Sequence, residues 1–166
     1  MSSQVAGISI RAMEPEDLPA YNRIHNHPDV VLEIMQPPYV ALSERLERIR
    51  NTPNVRNLVA VLDGATVGFG DLTLFSGRRS HAASFGLAVD PTHSGKGVGS
   101  ALLTALLDLG ERWYGIRRFE IKVYADNERA IALLERFGFE IEATHRRFAQ
   151  RDGVYADAYT MARLVS

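Results

Sequence analysis

The densest chemical signal in the sequence is Val89-Asp90-Pro91-Thr92-His93-Ser94-Gly95-Lys96-Gly97-Val98-Gly99-Ser100. Glycines at alternate positions let the backbone approach a ligand closely and turn its N–H groups inward. A helix opening directly after them would add unpaired N-terminal amides and a positive dipole end, a combination that holds phosphate or pyrophosphate. Three phosphate chemistries compete for this turn. A P-loop needs Gly-x4-Gly-Lys-Ser/Thr, but Gly95-Lys96 is followed by Gly97, so that pattern fails. A dinucleotide fingerprint needs Gly-x-Gly-x-x-Gly at the opening of a βαβ unit, whereas the spacing here is Gly-x-Gly-x-Gly and the preceding strand comes late. The third is the pyrophosphate of an acyl-coenzyme A. A glycine-rich strand–helix turn that binds nothing is the remaining alternative.

Composition bounds what else the chain can do. With 19 Lys+Arg against 20 Asp+Glu the net charge is −1, which lacks the clustered basic excess that holds nucleic acid; the paired arginines alone do not supply it. The absence of cysteine removes disulfides, thiolate metal sites and a cysteine nucleophile. The first seven residues lack the layout of a signal peptide and no apolar run is long enough to span a membrane, so a cytoplasmic protein is expected. A length of 166 residues suits one domain, taken as 1–166, with no repeat or linker dividing it.

Positioning the turn requires a strand before it and a helix after it. Residues 82–89 carry no charge, which predicts a strand buried on both faces. Residues 100–114 predict a helix: Leu102, Leu106, Leu109 and Trp113 recur at helical spacing, with Leu103 and Leu107 widening the apolar face. Ile8, Ile10 and Ala12 alternate as a strand, and Glu14-Pro15-Glu16-Asp17 opens a helix that ends near His27-Pro28. A second helix starts at Ser43. Residues 58–62 and 67–74 predict a hairpin across Asp63-Gly64. Residues 119–123 alternate as a strand, 127–137 form a helix stopped by Gly138, and 139–143 and 155–164 are two strands joined by a basic loop. The expected fold is mixed α/β: a central, mostly antiparallel twisted sheet of about seven strands flanked by four helices, with one parallel crossover.

In that order of elements the chain resembles the GNAT superfamily of acetyl-CoA-dependent N-acetyltransferases. Ser94-Gly95-Lys96-Gly97-Val98-Gly99 is similar to the family's Gln/Arg-x-x-Gly-x-Gly/Ala phosphate loop. Asp126-Asn127-Glu128-Arg129-Ala130-Ile131 through Glu135-Arg136-Phe137-Gly138-Phe139 resembles its Asn-x-x-Ala helix ending in Gly-Phe. Three further segments are similar to the YhhY-type bacterial acetyltransferases that act on free L-amino acids: Gln36-Pro37-Pro38-Tyr39, Arg79-Ser80-His81-Ala82 with Phe85-Gly86, and Asp152-Gly153-Val154-Tyr155-Ala156-Asp157-Ala158-Tyr159.

The resemblance implies acetyl-CoA as cosubstrate, no metal, a small-molecule amine as acceptor, no nucleic-acid or membrane partner, and a homodimer. Strands would splay at the coenzyme site. Leu87 and Val89 would offer backbone groups to the pantetheine arm, and the Leu87 amide would polarise the thioester carbonyl. The amides of Gly95, Lys96, Gly97, Val98, Gly99 and Ser100 would hold the pyrophosphate, with Ser94 beside them. Asn127 would contact the pantetheine and Arg136 a coenzyme phosphate, unless Arg136 is simply a solvated residue near a helix C-terminus. Gln36, Tyr39 and an arginine of the Arg146-Arg147…Arg151 segment would contact the acceptor.

Two departures from the family pattern stand out. Ser94 occupies a position where Gln or Arg is usual. Leu134 occupies the position where many relatives carry a tyrosine that acts as general acid. Tyr124 is the first substitute, with Tyr155 and Tyr159 expected to alternate inward on the final strand. His81 is the candidate base and Glu33 a weaker one. The missing tyrosine keeps a second reading open, a catalytically idle acyl-CoA-binding or regulatory domain.

Overall fold

The computed structural model describes residues 7–166, so the first six residues of the N-terminal segment lie outside the described residues. Five helices and seven strands follow in the order β1 (Ile8–Ala12), α1 (Leu18–His25), α2 (Pro28–Val31), α3 (Leu42–Arg50), β2 (Val55–Leu62), β3 (Ala65–Leu74), β4 (Ala82–Val89), α4 (Val98–Asp108), β5 (Arg118–Tyr124), α5 (Glu128–Arg136), β6 (Glu140–Arg151) and β7 (Val154–Leu164). One sheet holds all seven strands in the order β1-β2-β3-β4-β5-β7-β6. Every pair is antiparallel except β4–β5, whose crossover runs through α4. The fold expected from sequence is present, with the single turn α2 added to the four helices.

The two faces of the sheet carry different loads. Leu103, Leu106 and Leu107 of α4 and Leu134 of α5 pack with Leu72, Phe85, Phe119 and Met161, and Leu102 of α4 packs with Ile8, Ile10 and Val67. α1 and α2 cover part of the face opposite α4 through Ile24 and Val30 against Val59, Phe69 and Ala88. α4 sits unusually close to β3, because β3 presents glycine beneath it. A Cβ at Gly68 would lie 2.8 Å from Val98 Cγ1, and one at Gly70 would lie 3.0 Å from Leu106 Cδ1. That close seat sets the height at which the N-terminus of α4 meets the end of β4.

Two elements differ from expectation for identifiable reasons. The α4 helix continues into a π-helical turn, Leu109–Trp113. The wider turn shifts the phase of the helix, and Trp113 leaves the apolar stripe to stand 67% exposed. The basic segment expected as a loop is instead the second half of β6. Its register shifts between His145 and Ala149, and Arg147 adopts φ 49° there. An edge strand open to solvent accommodates charge, and a bulge interrupts an edge that would otherwise invite pairing. The strand returns at Asp152-Gly153, which repeats the left-handed pair of the Asp63-Gly64 hairpin.

Candidate active site

The sheet opens in its middle. β4 and β5 are paired only at Ala82↔Arg118, Ala83↔Phe119 and Ser84↔Glu120. Beyond these residues β4 stays with β3 as far as Val89↔Gly68, while β5 stays with β7 as far as Tyr124↔Ala158. Each strand follows its outer neighbour and the two part from each other. The Asp90 N–H donates to the Val67 carbonyl at 2.8 Å and the Phe75 N–H donates to the Ala82 carbonyl at 3.2 Å. Even-numbered residues of β4 therefore direct their backbone groups to β3, and Leu87 and Val89 turn theirs into the gap. The opening is a slot with one lip already carrying hydrogen-bonding groups.

The glycine turn closes one end of this slot. Asp90 accepts from the N–H and hydroxyl of Thr92 at 3.0 and 2.9 Å, and Arg23 of α1 donates to it at 3.2 Å. Burial alone would raise this carboxyl, but those hydrogen bonds hold it below its ordinary range. Gly95 and Gly97 follow at φ 76° and 84°, a left-handed backbone that glycine adopts freely. Gly97 is the N-cap of α4 and contributes no side-chain cap, so the first amides of the helix remain to be satisfied by a ligand or solvent. A Cβ at Gly95 would meet nothing within 4 Å. Open space and unspent amides at a helix N-terminus fit an anionic pyrophosphate.

On the α1 face of the sheet a third group of residues borders the slot. Asp71 of β3 lies beside Gly86 of β4, and a Cβ at Gly86 would stand 3.0 Å from Asp71 Oδ2. The carboxylate therefore leans over the one β4 residue that has no side chain. Burial pushes the Asp71 carboxyl above its ordinary range, although the residue keeps part of its surface open. Tyr21 of α1 has its phenol raised by burial and then by the charge of Asp71. Its ring stacks on His25 at 4.0 Å and meets Phe69 edge-on at 4.9 Å. Across the slot Tyr124 ends β5, buried, with its hydroxyl donating to the Ile34 carbonyl at 3.4 Å. Burial raises its phenol, partly offset by Arg151, whose guanidinium lies 4.3 Å from the ring centroid.

Residues 21–139 match the acetyltransferase (GNAT) family model. The chain belongs to the GNAT acetyltransferase family. It is 38% identical over 158 residues to the L-amino acid N-acetyltransferase AaaT of Escherichia coli K12, covering 95% of this chain and 98% of that one. Among solved structures it resembles the ribosomal-protein-alanine N-acetyltransferase of Brucella melitensis, with TM-score 0.84, 28% identity and coverage of 94% and 99%. The fold also matches the putative acetyltransferase yncA of Salmonella typhimurium, solved with acetyl-CoA, at TM-score 0.83, 23% identity and coverage of 96% and 95%.

Within this GNAT acetyltransferase the residues singled out from sequence fall into separate places. Leu87, Val89, the turn from Ser94 to Ser100, and Tyr124 border the slot. Asn127 caps α5, its Oδ1 accepting from the Ala130 N–H at 3.2 Å, which leaves its amide nitrogen to donate elsewhere. Lys96 and Arg136 are exposed. Gln36 is engaged from within: its Oε1 accepts from the buried Arg45 at 2.7 Å, while Arg45 also reaches Asn22 and Asn26. Tyr39 stands 94% exposed at φ 60° in the same loop. Glu33 is exposed, and Tyr155 faces solvent rather than inward.

His81 does not join the group. It precedes β4 at the end where β4 and β5 are still paired, and its carbonyl accepts from Arg117 and Arg118. Six residues of strand separate it from Leu87, roughly 20 Å at the rise of an extended chain. Leu134 is 2% exposed in the apolar cluster under α5. Asp71 was missed. The available signal was a lone carboxylate inside the apolar run 67–74, a position where an unpaired charge is costly and so is usually put to use. Among the described residues no group of three His, Asp or Glu is placed to hold a metal, and no helix is long and apolar enough to cross a membrane.

Proposed function

We propose that the chain moves the acetyl group of acetyl-CoA directly to the primary amine of a small molecule, with a free L-amino acid as the first acceptor to test. The observation that carries this reading is the slot between β4 and β5, with the backbone of Leu87 and Val89 turned into it and the N-terminus of α4 at its end. The acceptor class is drawn from the activity named for the Escherichia coli relative. Because the chain has no cysteine, the amine attacks the thioester without a cysteine-bound intermediate.

Acetyl-CoA supplies an acetyl group on a thioester, whose thiol leaves far more readily than an alkoxide. The chain's own residues do the rest. Val89 pairs with the pantetheine arm, Gly95 to Ser100 hold the pyrophosphate through their amides, and Ser94, Lys96, Asn127 and Arg136 complete the coenzyme contacts. The Leu87 N–H donates to the thioester oxygen as negative charge develops there. Asp71 takes the proton that the amine loses as the nitrogen–carbon bond forms. Its raised carboxyl is a stronger base than a solvated one, and Gly86 leaves it an open line to the slot. Tyr124, kept protonated by burial, gives a proton to the sulfur as the carbon–sulfur bond breaks. A peptide-like α-amine near pKa ~8 costs only about 1.4 kcal/mol to deprotonate at pH 7, against nearly 5 kcal/mol for a lysine-like amine near ~10.4, and the amine of a free amino acid, beside its own carboxylate, lies between the two. A carboxylate base therefore contributes more for a free amino acid than for a peptide N-terminus. A cytoplasmic setting goes with this reading, since acetyl-CoA is the donor. So does a homodimer, for which the exposed Ile141, Phe148, Val154 and Tyr155 offer surface.

The test is release of free thiol from acetyl-CoA, followed colorimetrically against a panel of amines, with Asp71→Asn alongside. Wild type should respond to amino acids, and Asp71→Asn should lose on the order of 10²-fold in kcat near pH 7. That deficit should shrink toward pH 9, where a larger fraction of the amine is neutral. If no amine raises thiol release above slow hydrolysis, the enzyme reading fails. Stabilisation by coenzyme A without turnover would then leave the idle binding domain, at about 2.7 kcal/mol for ligand a hundredfold above Kd.

A further inference from the structure

Beside Tyr124 lies an ion pair that has no part in the chemistry above. Arg151, at the end of β6, reaches back to the turn between β5 and α5. Its Nη1 donates to Asp126 Oδ1 at 3.0 Å and its Nη2 donates to Asp126 Oδ2, a two-point grip. The same Nη1 donates to the Leu32 carbonyl at 3.2 Å, and the guanidinium lies over the Tyr124 ring. Three segments far apart in sequence thus meet at the residue that ends β5 and borders the slot. The neighbouring arginines of the strand do not share this place. The Arg147 N–H is held by Asp157 and its guanidinium lies over Tyr155, out on the hairpin.

The pair is lopsided. The Arg151 side chain is 21% exposed and that of Asp126 is 67% exposed. The guanidinium is seated against protein by Tyr124 and Leu32, whereas the carboxylate occupies the solvent side. An exposed carboxylate gains little from such a pair, so a second carboxylate that brings contacts of its own can take its place. A planar guanidinium presenting two parallel donors is the group suited to that exchange.

We propose that Arg151 is the carboxylate receptor of the acceptor site, and that Asp126 is its resident occupant, displaced when the acceptor binds. The acceptors so selected are small amines with a carboxylate on the carbon that bears the amine, which places the nucleophilic nitrogen one carbon from the carboxylate that Arg151 holds and on the Tyr124 side of the slot. Asp126 then swings to solvent, where it needs no partner. The inference rests on the acetyl-transfer reading and identifies the residue that chooses its substrate.

The experiment compares the fastest L-amino acid of the panel with its carboxamide, which keeps the side chain and the amine but lacks the charge. In wild type the acid should be preferred. Arg151→Gln should lower the acid-to-amide ratio of kcat/KM by about tenfold or more, the scale of a lost charge-assisted pair, mostly through KM. Arg151→Lys should restore only part of that ratio, since a point charge replaces a fork. Asp126→Asn should lower KM for the acid, because the receptor is vacated. A thermal shift with coenzyme A confirms that each variant is folded. An unchanged acid-to-amide ratio in Arg151→Gln, or a higher acid KM in Asp126→Asn, overturns the receptor and leaves Arg151 a structural latch. Absence of thiol release with every acid and amide overturns the acetyl-transfer reading as well.

Discussion

Lowering the pH from 8 to 5 should destabilise this protein chiefly through one residue, His25. The ring is buried at the C-terminal end of α1, stacked on Tyr21, tilted against Phe69 and bonded through Nδ1 to the Tyr21 carbonyl at 2.8 Å. Burial lowers its pKa from 6.5 to about 4; the carbonyl opposes this and the charges of Arg45 and Arg48 add to it. The folded state therefore binds fewer protons than the unfolded state, and stability is full above pH 6.5 and lost as the pH falls toward 4. With those two pKa values the loss at pH 5 is about 2 kcal/mol, or ~4–8 °C in Tm for a chain of this size. The other shifted groups do not mimic it. Asp17 and Asp126, held low by Arg11 and Arg151, give up stability only below about pH 4. Asp71, raised by burial, has the opposite sign, and acid relieves its penalty. Urea unfolding of wild type and His25→Phe at pH 8, 6.5 and 5 isolates the effect, because the phenyl ring keeps the stack but cannot titrate. The variant should lose about 2 kcal/mol less than wild type across that range. Equal losses in the two proteins would refute the assignment.

Two further perturbations probe glycines of α4 and the turns at its ends. Gly97→Ala forces a side chain into φ 84° at the N-cap of α4. It should cost about 1–2 kcal/mol in stability and weaken coenzyme A binding as measured by calorimetry. Gly64→Ala, at φ 78° in the distant β2–β3 turn, should show similar strain with no loss of coenzyme affinity, and parallel losses in both would detach Gly97 from the ligand. Gly110→Ala would place a Cβ 2.6 Å from Phe119 Cε1 and 2.7 Å from Cζ inside the core. Overpacking of that kind should destabilise by about 1–3 kcal/mol in urea, with Phe119→Leu recovering part of it. Full stability in Gly110→Ala would show that the π-helical turn can move aside.

Much of the proposed coenzyme half of the site is legible in the residues. Gly95 and Gly97 need left-handed backbone, the uncharged β4 run needs burial on both faces, and Asn127 and Gly138 mark the ends of α5; each is a local requirement that a residue type states by itself. The proposed acceptor half is not legible to the same degree. His81 is a lone titratable group next to β4, but strand length carries it to the paired end of β4 and β5, away from Leu87. Arg146, Arg147 and Arg151 looked alike as a basic stretch. Only the bulge and the long β6 separate Arg151, over Tyr124, from the other two.

By itself the sequence determined the order of elements and the glycine turn, because period, glycine placement and capping act over a few neighbouring residues; the coenzyme-A-using family entered through the resemblance of its motifs. Tertiary structure decided which polar groups share the slot. Asp71 meets Gly86 through strand register, Tyr124 meets Arg151 through a bulged edge strand, and Trp113 leaves the core through a π-helical turn. Each depends on contacts between residues far apart in the chain, for which local pattern carries no record.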